Sequence, residues 1–181
     1  MNWKDKALQH AKDEIPNEAC GLIYIFKGKE KYMPCKNISF DKKNTFTIDP
    51  LDWAKTEDKG NIIGVFHSHT NCDPNPSTHD KYSAENTGVK WWIVNPFTNQ
   101  WKTYEPVGYK KSFIGRPWVW GIYDCWTLTR DYYASVGLNL RDFVRPEDPE
   151  EFARNPLFEK YYEELGFRVL NYDEPIKEGD S

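Results

Sequence analysis

The stretch HSHTNCDPNPSTHD, from His67 to Asp80, constrains this chain more than any other feature. The preceding segment NIIGVF reads as a strand: Ile62, Ile63, Val65 and Phe66 form an apolar run broken only by Gly64. Alternate strand residues share a side, so His67 and His69 project together while Ser68 faces away. TNCDPNPS reads as a loop. Ser77 reads as the N-cap of a helix through THDKYSAENTG, which puts Asp80 in the first turn. A strand, a loop and a helix start can therefore return Asp80 to the two histidines. Two histidines and a carboxylate form a three-ligand zinc set with a fourth position left for water, the pattern of a hydrolytic zinc rather than a structural one. Upstream, Glu18 stands just before the apolar run of ACGLIYIF. A carboxylate outside the ligand set can take the proton of an activated water. Two surface histidines near a strand end would account for a lone His-x-His, but not for the added Glu, Ser and Asp.

These residues resemble the JAMM motif of the JAB/MPN metallopeptidases: a distant Glu, then His-x-His, seven residues, Ser, two residues, Asp. Glu18, His67, His69, Ser77 and Asp80 fill every position, and the context Pro16 to Gly21 also looks like that family. The resemblance implies an α/β fold, a deaminase-like α/β/α domain, with zinc as the cofactor. It also implies that His67, His69 and Asp80 bind the metal. Glu18 would be the general base, and Ser77 would stabilise the tetrahedral oxyanion.

Neighbouring residues carry blander expectations. His79 lies beside Asp80 but outside the motif, and is expected to face solvent. Cys72, inside the loop, could approach a metal as a thiolate, but is expected to be a small loop residue. Cys20 is expected to behave as a small buried hydrophobe, and Cys35 has no ligand partner in view.

The rest of the first half reads as a sheet flanked by helices. Trp3 to Glu14 is a helix with Trp3, Ala7, Leu8 and Ala11 on one face. Cys20 to Phe26 and Lys31 to Ile38 are strands joined through Lys27-Gly28-Lys29, with a short strand at Phe46 to Ile48. Asp49 caps a helix from Pro50 to Asp58. WWIVN and QWKTYEP are two strands around a Pro-Phe-Thr-Asn turn.

Composition bounds the function. A net charge of −4 argues against a nucleic-acid partner. The chain has no apolar run of about 18 residues, so no membrane span is expected. Its polar start, MNWKDKALQHAKDEIP, is not a signal peptide. Four scattered cysteines form no disulfide framework, which suits a reducing cytoplasm. Lys is the only long basic residue before position 111, whereas Arg116, Arg130, Arg141, Arg145, Arg154 and Arg168 all follow it. That shift suggests two modules, 1–110 and 111–181.

In the second module, Asp124 can cap a helix and place Cys125 in its first turn. The positive end of the helix dipole there favours thiolate. The residues alone leave two readings: an activated nucleophile, or a packed Cys beside Trp126. The run Asp124-Cys125-Trp126 with its helix resembles the NlpC-type cysteine peptidases, papain-like α+β enzymes that cut peptidoglycan stem peptides. Cys125 would then be catalytic. A Cys nucleophile needs a His base, and no His follows His79. The expectation is therefore an incomplete domain, the N-terminal part of an NlpC-type fold, with a dyad that this chain does not complete.

A JAMM module followed by an NlpC-type module resembles the tail tip assembly proteins of lambda-like phages. The resemblance implies a zinc peptidase of the virion tail tip, made in the host cytoplasm. It would act on bacterial peptidoglycan peptides and assemble with other tail tip proteins. Two further readings stand beside it. One is an isopeptidase for a ubiquitin-like or sulfur-carrier protein; the other is a structural tail component without catalysis.

Overall fold

The computed structural model describes residues 2–108, 112–116, 118–143, 145, 146, 149–175 and 177. The chain divides into two compact units, residues 1–110 and 111–181.

The first unit runs α1 (Trp3–Asp13), β1 (Cys20–Phe26), β2 (Lys29–Cys35), α2 (Pro50–Glu57), β3 (Asn61–Ser68), α3 (Thr78–Thr87), β4 (Lys90–Asn95) and β5 (Gln100–Tyr104). The strands form one sheet in the order β2-β1-β3-β4-β5. Only β3 and β4 are parallel, and α3 is the crossover that such a pair requires.

Local chemistry sets these boundaries. Asn2 and Asp5 form a reciprocal cap that starts α1. Lys27 and Gly28 both adopt positive φ, at 48° and 73°, in the two-residue turn that matches the twist of a hairpin. Pairing therefore begins at Phe26 and Lys29, earlier than the expected start at Lys31. The strand also stops at Cys35 rather than Ile38, because the buried Asn37 side chain takes over the backbone groups of the following loop. The expected strand at Phe46 to Ile48 is a single bridge between Asn37 and Ile48. Asp49 caps α2 with Pro50 at its first position.

Strand alternation splits the core into two faces. Ile23, Phe66 and Val94 pack against Ala7 and Ala11 of α1, whose small side chains let the helix lie close to the sheet. Leu22, Val65 and Trp91 pack on the other face with Ala84 of α3 and Trp53 of α2. The result is the α/β/α layering expected. Fully buried Leu22, Ile23, Phe66 and Ile93 each contribute roughly 1.5–3 kcal/mol. His67 and His69 continue the Val65 register, so they emerge at the strand end on the α2/α3 face.

The second unit holds α4 (Cys125–Ser135), α5 (Pro149–Arg154) and α6 (Leu157–Tyr161). Among its described residues the only β pairing is the bridge Val119–Tyr123. Its interior is aromatic: Trp126 lies 5.6 Å from Phe143, which stacks on Tyr161 at 5.1 Å.

Gly64 sits in β3 where an added Cβ would fall on the Trp92 ring and the Lys90 carbonyl. Backbone cannot yield as a flexible side chain can. Gly64→Ala is expected to cost about 1–3 kcal/mol, read as a lower urea midpoint with an unchanged slope.

Candidate metal centre

The site forms where β3 ends beside the start of α3. Cys20 pairs with His67, and the contact runs on as Ser68 N–H donates to the Ala19 carbonyl (3.0 Å) and Ala19 N–H donates to Ser68 Oγ (2.9 Å). Ser68 thus faces away from its two neighbours, as the alternation predicts. The same pairing brings Glu18 opposite His69. β4 holds the strand end from the other side, since His69 N–H donates to the Val94 carbonyl at 2.9 Å.

Asp80 is delivered by a capping box. Its N–H donates to Ser77 Oγ (3.1 Å), and Ser77 N–H donates to Asp80 Oδ2 (2.7 Å). Ser77 therefore fixes both the backbone and the carboxylate of Asp80, while its own hydroxyl proton stays free to be donated. The cap at Ser77 is the one expected from the sequence; the reciprocal bond that holds the Asp80 carboxylate is the part that went unread, although Ser-x-x-Asp is its signal.

The three side chains converge. His67 Nε2 and His69 Nε2 are 3.0 Å apart. Asp80 Oδ1 lies 3.1 Å from His67 Nε2, and Oδ2 lies 3.3 Å from His69 Nε2. All three residues are buried. Two imidazole nitrogens and a carboxylate facing one another need a proton or a cation between them. Donors around a tetrahedral zinc, with bonds of about 2.0–2.1 Å, stand about 3.3 Å apart. The observed triangle fits that spacing, and these residues could hold a metal. His69 is also oriented for ligation, because its Nδ1 donates to the Asp73 carbonyl at 2.8 Å and leaves Nε2 to the cluster. His67 departs from the usual pattern. Its buried Nδ1 meets no hydrogen-bond partner among the described residues. Its ring is held instead by stacking on Phe46 at 4.5 Å and by the edge of Trp91 at 5.5 Å.

Burial pushes the His67 pKa down against the pull of Asp80. Burial alone would also lower His69, but its bonds to Asp80 and the Asp73 carbonyl more than offset this and raise its pKa. Burial would raise Asp80; the facing His67 and His69 overcome it and hold the carboxyl well below the usual carboxylate range. Glu18 behaves oppositely. Burial, only partly relieved by the His69 charge, raises its pKa to about 8.

Asn37 secures Glu18, a role that sequence reasoning missed. Its Nδ2 donates to the Glu18 carbonyl (2.9 Å) and the Thr45 carbonyl (3.1 Å). Glu18 N–H donates to the Lys42 carbonyl at 2.7 Å. Cys72 is an exposed loop residue, as expected, with Sγ 3.5 Å from His69 Nδ1. His79 is half-buried rather than solvent-facing, and burial lowers its pKa. Cys20 and Cys35 are buried thiols of the core.

Cys125 lies in the other unit. It is exposed in the first turn of α4, capped by Asp124, whose Oδ1 accepts Thr127 N–H at 2.8 Å. Arg145 pairs with Asp124 and donates to Thr127 Oγ1 at 2.6 Å.

Residues 2–105 match the family described as prokaryotic homologs of the JAB domain. The chain belongs to the prokaryotic JAB-domain family. Over 179 residues it is 33% identical to the tail tip assembly protein K of Escherichia phage N15, covering 97% of this chain and 72% of that protein. The tail tip assembly protein K of Escherichia phage lambda is 32% identical over 101 residues, 56% of this chain and 48% of that protein. A desampylase of Pyrococcus furiosus is 30% identical over 86 residues, 43% of this chain and 59% of that protein. The match to the N15 protein extends through both units, whereas the family match ends within the first.

The raised pKa of Glu18 has a stability consequence in the metal-free JAB domain. The folded carboxyl keeps its proton up to about pH 8, whereas the ordinary value is 4.5. The folded state then binds more protons than the unfolded one across that window, so stability falls as pH rises from 4.5 through 8. Glu18→Gln removes this titration. Urea unfolding of chelator-treated protein should find the variant equal to native at pH 4.5 and more stable above pH 8, by up to about 4–5 kcal/mol.

Proposed function

We propose that this chain is a zinc-dependent peptidase of a phage tail tip that hydrolyses peptide bonds of bacterial peptidoglycan and takes part in tail assembly. The observation that carries the chemistry is the buried convergence of His67, His69 and Asp80, with Glu18 beside them. Similarity to the N15 protein across 97% of the chain supports the tail tip, with other tail tip proteins as partners and synthesis in the host cytoplasm.

Zinc held by His67, His69 and Asp80 would supply an activated water and polarise the scissile carbonyl. Glu18 takes the proton of the attacking water. Its pKa of about 8 in the metal-free site suits proton transfer near neutrality, and a cation nearby lowers that value further. The same carboxyl then returns the proton to the leaving amine. Ser77 Oγ accepts the Asp80 N–H, so its hydroxyl can donate to the oxyanion. The sheet, the segment before it and the start of α3 fix all five groups before substrate arrives, which is the condition for electrostatic catalysis.

We read the second unit as the N-terminal part of an NlpC-type, papain-like domain; the exposed Cys125 in the first turn of α4 supports that reading. Residues 111–181 contain no His that could act as the base of Cys125. The proposal therefore rests the chemistry on the zinc site. A second reading, an isopeptidase that releases a ubiquitin-like or sulfur-carrier protein, is favoured by the desampylase similarity in the first unit.

Digestion of purified peptidoglycan, followed by mass spectrometry of the soluble fragments, tests the proposal. Native zinc-loaded protein should release peptide-bond cleavage products; chelated protein and Glu18→Gln should release at least about a hundredfold less. Cleavage that survives both controls would move the chemistry away from the zinc site. No cleavage by loaded native protein, with cleavage of a ubiquitin-like fusion, would establish the isopeptidase reading instead.

A further inference from the structure

Asn95 closes β4 and is buried at 9% exposure, with every polar atom of its amide engaged. Its Oδ1 accepts Phe97 N–H (2.9 Å) and Thr98 N–H (3.0 Å), which builds the β4–β5 turn. Its Nδ2 points the other way and donates to the Cys72 carbonyl at 2.8 Å. The next carbonyl along that loop, Asp73, accepts His69 Nδ1 at 2.8 Å. Beside Asn95 in the strand, the Val94 carbonyl accepts His69 N–H at 2.9 Å. The end of β4 therefore holds His69 twice, once at its backbone and once through the loop that receives its ring.

We infer that Asn95 is a positioning residue for the metal centre: by holding the Cys72 carbonyl it keeps the Asp73 carbonyl under His69 Nδ1 and so fixes the tautomer with Nε2 free to ligate. This rests on the reading that His67, His69 and Asp80 hold zinc. Donation from Nδ1 to a carbonyl leaves the Nε2 lone pair for the cluster. The loop offers a competitor, since Cys72 Sγ lies 3.5 Å from the same Nδ1. A loop displaced by a fraction of an ångström would exchange a strong carbonyl acceptor for a weak sulfur one. Elsewhere the loop is tied at its start, by Thr70 to the Pro16 carbonyl (3.1 Å) and Asn71 to the Lys43 carbonyl (3.1 Å). Further on, Asn75 N–H donates to Asp73 Oδ1 at 2.9 Å and Pro74 is buried. These hold the Asp73 side chain and its neighbour, and none of these bonds is made to the Asp73 carbonyl. The turn by itself does not require an amide, because a Ser or Asp oxygen can accept the same backbone N–H groups. Only the bond to the loop uses the donor that Asn adds.

That difference separates the two roles. Asn95→Ser stays neutral, keeps an acceptor for the turn and is too short to reach Cys72. Asn95→Asp keeps the acceptor and replaces the donor with oxygen. Zinc transfer to a chelator, and the rise in Tm on adding zinc, should be measured for native protein and both variants. The variants should hold zinc about 10–100-fold more weakly, with a smaller zinc-induced rise in Tm than native. A simple turn defect would lower the metal-free and zinc-loaded Tm equally, and that result overturns the proposal. Native protein supplies an independent readout should both variants misfold. By linkage, zinc must tighten what tightens zinc, so zinc should slow hydrogen exchange at the Phe97 and Thr98 amides. Unchanged exchange at both would overturn the inference. Failure of native protein to take up zinc, by metal analysis, would instead remove the metal reading on which it depends.

Discussion

The burial of a carboxylate against two imidazoles at the end of β3 is the constraint on which the rest of the first unit depends. Three polar side chains out of water are costly unless each meets a partner. Here the partners are one another and the backbone around them. Asp80 spends one oxygen on Ser77 N–H and both on the histidines. The parallel β3–α3–β4 crossover is what allows this, because it starts a helix directly after the strand that bears the histidines. An antiparallel hairpin would carry the chain back along the sheet and leave no helix N-terminus at that end.

The same constraint explains why the site's support consists of short amides at strand ends. Asn37 stands just beyond β2 and Asn95 closes β4, and each uses oxygen for a local turn and nitrogen for a segment of the candidate site. A carboxamide can accept and donate at once without a net charge. Next to a cluster already carrying Glu18, Asp73 and Asp80, another carboxylate would raise the cost of burial. Aromatic rings do the remaining work: Phe46 and Trp91 confine His67 by contact where no hydrogen bond reaches its Nδ1.

Much of this was legible in the residues. Period-two alternation through Val65, His67 and His69, and the Ser77 cap, place the metal-ligand candidates on a strand end and a helix start, where they lie. The caps at Asp49 and Asp124 are equally local signals, and both helices begin where those residues say. What escaped was non-local. The early end of β2 depends on Asn37 taking the Thr47 N–H, ten positions away, while its nitrogen meets Glu18, nineteen positions away in sequence. His79 reads as a surface residue because its helix is polar, yet packing half-buries it. The bond from Asn95 to Cys72 spans twenty-three positions and leaves only a weak trace, a lone Asn ending an apolar strand.

The second unit shows how a local signal falls short of a site. Asp124 caps α4 and Cys125 follows it, exposed, in the first turn. Yet Asp124 is committed to Arg145 and Thr127, and burial of its carboxyl, outweighed by the Arg145 guanidinium, leaves it ionised and structural. A nucleophile requires a base within hydrogen-bond reach, not only a lowered barrier to ionisation. The first unit assembles buried ligand candidates and a buried carboxyl with a pKa near neutrality, with the exposed Ser77 hydroxyl at their edge. The first unit thus gathers the more complete set of groups among the described residues, even though both units begin a helix beside a reactive side chain.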